Sequence, residues 1–246
     1  MSKFHISKNG KPSICHAQSG NCPLGGESQH YETKEKAQQA IERENNNYML
    51  QSTTKKEETT YNKFDREISP MIQNAHFIAE EAHRGQVDKM GKTYIEHPKT
   101  VAKALYPFGE RAYVAGLLHD VIEDSDYDSQ ELLEMGIPKS VIKAVEYVSK
   151  PDKEITYQDW IKELKNTKWE EDDYLTKEEL KNAGIDTNEK VPIAIIVKLA
   201  DNFHNTAPSR AAGRKEGMMK RYKKARKTLA EGIPDKVINI IDNSIN

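Results

Sequence analysis

Val191-Pro192-Ile193-Ala194-Ile195-Ile196-Val197-Lys198-Leu199-Ala200-Asp201-Asn202-Phe203-His204-Asn205 is the stretch on which the fold class turns. Its first half is apolar almost throughout, as a strand buried on both faces of a sheet would be. Its continuation through Asn202-Phe203-His204-Asn205, with Pro192 near the start, predicts a central helix instead. Asp201 closes the apolar part, an implausible place for an unpaired carboxylate, because a buried charge costs several kcal/mol unless it is paired or binds a metal.

The flanking sequence repeats the helical pattern. Ile68, Met71, Ile72, Ala75, Ile78, Ala79 and Ala82 recur at helical spacing, so the globular domain is expected to begin near residue 65 and to run to 246. Further helices are expected at about 98–106, 110–123, 129–135, 138–149 and 156–165, with Pro138 restarting the chain after Gly136-Ile137. Residues 166–187 read as a polar excursion with one short helix, a candidate lid. The last forty residues carry a long basic helix and an amphipathic one after Pro234. No hairpin pattern is read anywhere, so the class is all-α.

Of 246 residues, 36% are hydrophobic and 31% charged, which suggests that part of the chain lies outside the core. Residues 1–60 are that part, a poorly structured leader with a charged linker from Thr33 onward. A net charge of −2 gives no global field toward nucleic acid or acidic membrane. No apolar run approaches a membrane span and no signal-peptide core opens the chain, so a soluble, cytoplasmic protein is expected. Cys15 and Cys22 are read as free thiols; a small-loop disulfide, or half a zinc site with His16 and His30, is the other reading, weakened by the absence of tight ligand pairs.

A second stretch carries chemistry. In Gly116-Leu117-Leu118-His119-Asp120-Val121-Ile122-Glu123-Asp124 a hydrophobic helix ends in an imidazole and three carboxylates. His119 and Asp120 offer one nitrogen and one oxygen ligand, and a divalent ion needs more. His97, at the mouth of the helix that Pro98 starts, and Asp201 complete a set of two imidazoles and two carboxylates, suited to Mn²⁺, Fe²⁺ or Zn²⁺. A lone His in a helix is usually packed or hydrogen-bonded, which is the reading given to His76, His83 and His204; His83 and Arg84 are expected near the site but not as ligands.

These residues carry a resemblance. The order His97, His119-Asp120, Asp201 resembles the H…HD…D pattern of HD-superfamily metal-dependent phosphohydrolases, whose fold is a helical bundle. Four stretches make the chain most similar to the hydrolase domain of Rel/SpoT alarmone enzymes and their stand-alone relatives: Ala82 to Gln86, Gly91 to Ala102, Ala115 to Asp126 and Val197 to Asn205. The resemblance covers about residues 68–230 and implies removal of the 3′-pyrophosphate from (p)ppGpp with Mn²⁺ holding the attacking water. Glu123 and Asp124 fall where the family carries its Glu-Asp pair, and one helical turn returns them toward the metal as joint proton-handling groups. Lys89, Tyr94 and Asn205 are the transferable nucleotide contacts, and Tyr222 falls where small alarmone hydrolases place a tyrosine near the substrate.

The chain departs from the family at two places. Asp88 stands where an Arg contacts the nucleotide, and Pro208 where a Thr often follows the Asn, so the nucleotide is less defined than the reaction; NADPH is an alternative substrate. The run Arg214-Lys215 with Lys220-Arg221-Tyr222-Lys223-Lys224-Ala225-Arg226-Lys227 is either a solvated face or a source of cations for distal phosphates. It lacks a groove-reading motif for nucleic acid. No synthetase segment follows, so a bifunctional enzyme is not expected. Two rivals remain: a nucleotide-binding or antitoxin-like module without turnover, and an ancillary enzyme addressed by its leader, whose Cys15 to Glu27 string resembles tags ahead of unrelated domains in phage and mobile-element proteins.

Overall fold

Ile193–Thr206 is a helix, and each of its residues from Ile193 to Asn205 is buried. Pro192 precedes it in an extended conformation, and Ala207, held extended by the proline that follows it, ends it. The computed structural model describes residues 4–6, 12–14, 30–40, 69–150, 154–211 and 214–245. The chain divides into two compact units, Met1–Ser69 and Pro70–Asn246.

The described residues of the second unit are all-α apart from two isolated bridges, Val87 with Thr93 and Tyr174 with Pro192. Its helices are α1 (Pro70–Ala82), α2 (Glu96–Leu105), α3 (Glu110–Leu118), α4 (Val121–Asp124), α5 (Ser129–Glu134) and α6 (Lys139–Val148). They continue with α7 (Tyr157–Lys165), α8 (Lys177–Asn182), α9 (Ile193–Thr206), α10 (Pro208–Ala211), α11 (Glu216–Ala230) and α12 (Asp235–Ile245). Helix α9 is the axis, packed by α2, α3, α6, α11 and α12. No helix among the described residues is long and apolar enough to cross a membrane.

One predicted helix is two. Residues 110–123 break after Leu118, and His119-Asp120 form the joint between α3 and α4. The excursion at 166–187 is no lid. Leu175, Leu180 and Ile185 are buried in the core. Arg111 of α3 clamps the segment, donating to Glu179 at 2.6 and 3.0 Å and to the carbonyls of Asp172 and Tyr174 at 2.9 and 3.0 Å.

The N-terminal unit departs from the expectation of no strand pairing. Phe4–Ile6, Pro12–Ile14 and His30–Tyr31 form a three-stranded antiparallel sheet with the first of them central. The signal was present: Asn9-Gly10, a strong short-range hairpin marker, stands between two short alternating runs. Residues 34–40 are helical, with Ala37 buried. Cys15, His16, Cys22 and the remainder of the linker lie outside the described residues.

The joint is held in place by close approach of α2 and α3. A Cβ on Gly116 would lie 2.7 Å from Leu105 Cδ1 and 3.1 Å from Ala102 Cα. Overpacking of this kind costs about 1–3 kcal/mol. Gly116→Ala is therefore expected to lower the urea unfolding midpoint with an unchanged m-value, and an unaltered midpoint would remove this contact as a constraint.

Candidate active site

Two helix ends meet the middle of a third helix. Helix α2 brings His97 in its first turn, the α3–α4 joint brings His119 and Asp120, and α9 brings Asp201. One ligand atom each from His97, His119 and Asp120 lies within 4.8 Å of the others. Asp201 adjoins this group rather than sharing its compactness: its Oδ1 is 3.2 Å from His97 Nε2 and 3.9 Å from His119 Nε2. His97 Nε2 is also 3.6 Å, and His119 Nε2 3.1 Å, from Asp120 Oδ2.

The donor set fits a divalent cation. His119 Nδ1 donates to the Gly116 carbonyl at 2.8 Å, which leaves Nε2 as the atom aimed at both carboxylates. That nitrogen is buried and makes no aligned hydrogen bond, the condition of a ligand atom facing a cation.

Electrostatics points the same way. Burial opposes ionisation of Asp120 and Asp201, yet their neighbours hold both carboxyls below the usual range: His119 and His97 for Asp120, and Lys198 with the same two imidazoles for Asp201. Burial likewise works against a charged His119, but Asp120 and Asp201 outweigh it and raise its pKa. Two ionised carboxylates are thus kept side by side next to the two imidazoles, an arrangement that favours a cation among them.

The proposed proton-handling pair divides. Tyr94 donates to Asp120 Oδ2 at 2.7 Å and to Asp124 Oδ2 at 3.3 Å, so its hydroxyl bridges the two carboxylates. Desolvation first, and the Asp120 charge second, push the Asp124 carboxyl above its ordinary range. Glu123 turns toward the opposite wall, where its Oε2 accepts from the Lys150 backbone amide at 3.2 Å.

Beyond the carboxylates opens a cavity of about 900 Å³. Val87 to Met90 form one wall, Ile155 to Gln158 with Trp160 another, and Arg210, Arg214, Met218, Arg221 and Tyr222 a third. None of residues 166–187 lines it. Pro208 starts α10, which carries Arg210 into the cavity; the Arg210 side chain makes no hydrogen bond or ion pair among the described residues. Arg214 donates to Asn205 Oδ1 at 2.6 Å and to the Tyr222 hydroxyl at 3.2 Å, and Arg221 lies over Tyr157 at 4.9 Å. None of these three guanidinium groups meets a carboxylate among the described residues.

The basic segment has two faces. Arg214, Met218, Arg221 and Tyr222 recur at helical spacing toward the cavity, whereas Lys215, Lys220, Lys223, Lys224 and Lys227 are exposed. Asp88 is occupied locally: its Oδ1 accepts from the backbone amides of Met90 at 2.8 Å and Lys92 at 2.9 Å, closing a loop that Gly91 completes with φ +77°. Lys89 lines the cavity, exposed. Asn205 is more engaged than expected, because its other amide end donates to Asp201.

Three residues escaped the sequence reading. Lys198 is buried, pairs with Asp201 Oδ2 at 3.0 Å and stands 4.6 Å over the Trp160 ring; a lysine three residues before Asp201 in an apolar run was the available signal. His204 is hydrogen-bonded, as a lone helical His was expected to be, but its partner is His97. Arg210 had no signal, since its position depends on the turn at Pro208. His83, read as lying near the site, packs its ring 5.0 Å from Tyr94.

Comparison with known proteins agrees with the residue pattern. Residues 94–206 match the HD domain family. The chain is 40% identical over 137 residues to a guanosine-3′,5′-bis(diphosphate) 3′-pyrophosphohydrolase of Spiroplasma citri, covering 54% of this chain and 16% of that protein. It is 33% identical over 160 residues to a GTP pyrophosphokinase of Streptomyces coelicolor, covering 64% and 16%. The chain thus spans about a sixth of these relatives. A solved structure titled "A metazoan ortholog of SpoT hydrolyzes ppGpp and plays a role in starvation responses" superposes with a TM-score of 0.51 at 21% identity, covering 73% of this chain and 95% of that one, which shows a shared fold.

A cation in this site stabilises the fold by mass action, by about 2.7 kcal/mol at a hundred times its dissociation constant. Saturating Mn²⁺ is expected to raise the thermal midpoint by several degrees, EDTA to reverse the rise, and Asp120→Asn to abolish most of it. An Asp120→Asn protein with the full shift would place the ion elsewhere.

Proposed function

We propose that this chain, whose residues 94–206 match the HD domain family, is a Mn²⁺-dependent hydrolase that removes the 3′-pyrophosphate of (p)ppGpp. The observation that carries the reading is the polarity of one cavity. Metal-ligand candidates among the imidazoles and carboxylates, guanidinium groups that form no ion pair among the described residues, and the rings of Tyr157, Trp160 and Tyr222 all line it. A nucleotide phosphorylated on both the 3′- and 5′-oxygens of its ribose offers a group to each: one phosphate chain for the metal, another for the cations, and a base for the aromatic rings.

His97, His119, Asp120 and Asp201 would hold the metal, which when bound lowers the pKa of water and polarises the phosphoryl oxygen. Asp124 takes the proton of the attacking water, a task suited to a carboxyl held above its ordinary range. Water oxygen bonds to the phosphorus on the ribose 3′-oxygen, the P–O3′ bond breaks, and O3′ leaves protonated, giving pyrophosphate and GDP or GTP. Tyr94 fixes Asp120 and Asp124 relative to each other. Glu123, tethered to the Lys150 amide, lines the same cavity. Arg210 and Arg214, with Lys89 from the facing loop, take the 5′-phosphates, and Tyr222 and Asn205 border the nucleoside.

Incubation with ppGpp and Mn²⁺ is expected to release GDP and pyrophosphate, resolved by anion-exchange chromatography. Asp124→Asn should lower kcat by about 10²-fold or more with KM little changed. Arg210→Ala should raise KM instead and leave kcat within a few-fold. Turnover of NADPH in place of ppGpp would redirect the substrate assignment, and a protein that binds ppGpp and Mn²⁺ yet returns the nucleotide intact would make the domain a binding module.

A further inference from the structure

His97 and His204 meet through like atoms. Nδ1 of one lies 2.7 Å from Nδ1 of the other, the ring planes are inclined by 22° with centroids 4.9 Å apart so that the rings meet edge to edge, and both residues are buried. Two nitrogens at that distance share one proton, because two lone pairs or two N–H groups face to face repel. The other ring nitrogen of His97, Nε2, points toward Asp201 and Asp120, the place of the metal in the reading above. A nitrogen that ligates a cation carries its lone pair, so the single proton of a neutral His97 sits on Nδ1. His204 Nδ1 is then the acceptor, and the His204 proton is on Nε2.

We infer that His204 is a positioning residue for the metal centre: by accepting the Nδ1–H of His97, it fixes the tautomer and ring orientation that present His97 Nε2 to the cation. The inference rests on the metal reading of the site and is independent of which nucleotide is hydrolysed. The two ligand imidazoles are held by different devices. His119 is backed by the Gly116 carbonyl, which only accepts, whereas His97 is backed by a ring that accepts only in one tautomer. Helix geometry makes the second device possible, since His204 follows Asp201 by three residues and shares its face of α9. One turn of one helix thus supplies a carboxylate beside Nε2 of His97 and an acceptor behind its Nδ1.

The full chain, ¹⁵N-labelled at histidine and loaded with diamagnetic Zn²⁺, gives a direct test by NMR. A proton on His97 Nδ1 with a ¹⁵N–¹⁵N coupling across the hydrogen bond to an unprotonated His204 Nδ1 is expected; a proton on His204 Nδ1 overturns the inference. In parallel, Mn²⁺ affinity is measured by titration for His204→Phe, which fills the space without an acceptor, and His204→Gln, whose amide oxygen accepts. Loss of an outer hydrogen-bond partner of a ligand typically weakens metal binding about 10–100-fold, so His204→Phe should fall in that range and His204→Gln should recover most of the loss, with the metal-free unfolding midpoint of His204→Phe not reduced. Equal affinities in all three proteins, or equal losses in both variants, overturn the inference; if His204→Phe does not fold, the NMR result decides. A chain that binds neither Zn²⁺ nor Mn²⁺ overturns the inference and the metal reading together, whereas a lack of ppGpp turnover touches neither measurement and counts only against the proposed substrate.

Discussion

Asp120 and Asp201 are carried into the interior by apolar helices, and the cost of keeping two carboxylates there organises what surrounds them. A buried charge that loses its partner costs about 3–5 kcal/mol, so each carboxylate is matched. Asp201 has Lys198 at 3.0 Å, and Lys198 is held in turn against the Trp160 ring of α7 and near the Val148 carbonyl that ends α6. Asp120 has the Tyr94 hydroxyl; the Tyr94 ring packs on His83, whose Nδ1 meets Gln86, and Gln86 donates to the Asp124 carbonyl at 2.9 Å. The partners of two acids therefore tie together α2, α4, α6, α7, α9 and the loop after α1. Removing one link leaves a charge in a medium that cannot hydrate it.

The same arrangement divides the cavity chemically. The carboxylates attract a cation, and Lys198 offsets only part of their charge because it is committed to Asp201. Arg210, Arg214 and Arg221 line the same cavity with no ion pair among the described residues, so their field attracts an anion.

The legible and illegible parts of the sequence differ in physical kind. Helix α9 was legible because thirteen consecutive buried residues leave a continuous apolar signal, and Asp201 was conspicuous because it violates that signal. His119 and Asp120 stood out for the same reason at the end of α3. The break between α3 and α4 was not legible, since periodicity runs through it unaltered. Lys198 was hidden because a single lysine inside an apolar run reads as tolerance, and His204 because its partner lies 107 residues earlier on another helix. The N-terminal strands are a different failure: three-residue runs are too short for a periodicity argument, so Asn9-Gly10 was the sole readable mark.

The cavity walls were hardest to read because short loops shape them. Asp88 in place of an arginine reads, from sequence, as a negative charge opposing a nucleotide. In the structure its Oδ1 is taken by the amides of Met90 and Lys92, and those backbone hydrogen bonds, the Lys92 amide foremost, hold its carboxyl below the ordinary range. The residue shapes the 88–92 loop and sets Val87 and Met90, 64% and 46% exposed, on the cavity wall. Its charge persists, but it faces the field of Arg210, which enters from the turn that Pro208 begins. The two departures from the family pattern thus act on opposite walls of one cavity: an aspartate that closes a loop, and a proline that starts the helix carrying a guanidinium toward it. Neither effect follows from the identity of the residue alone, because each depends on where a short turn places its neighbours.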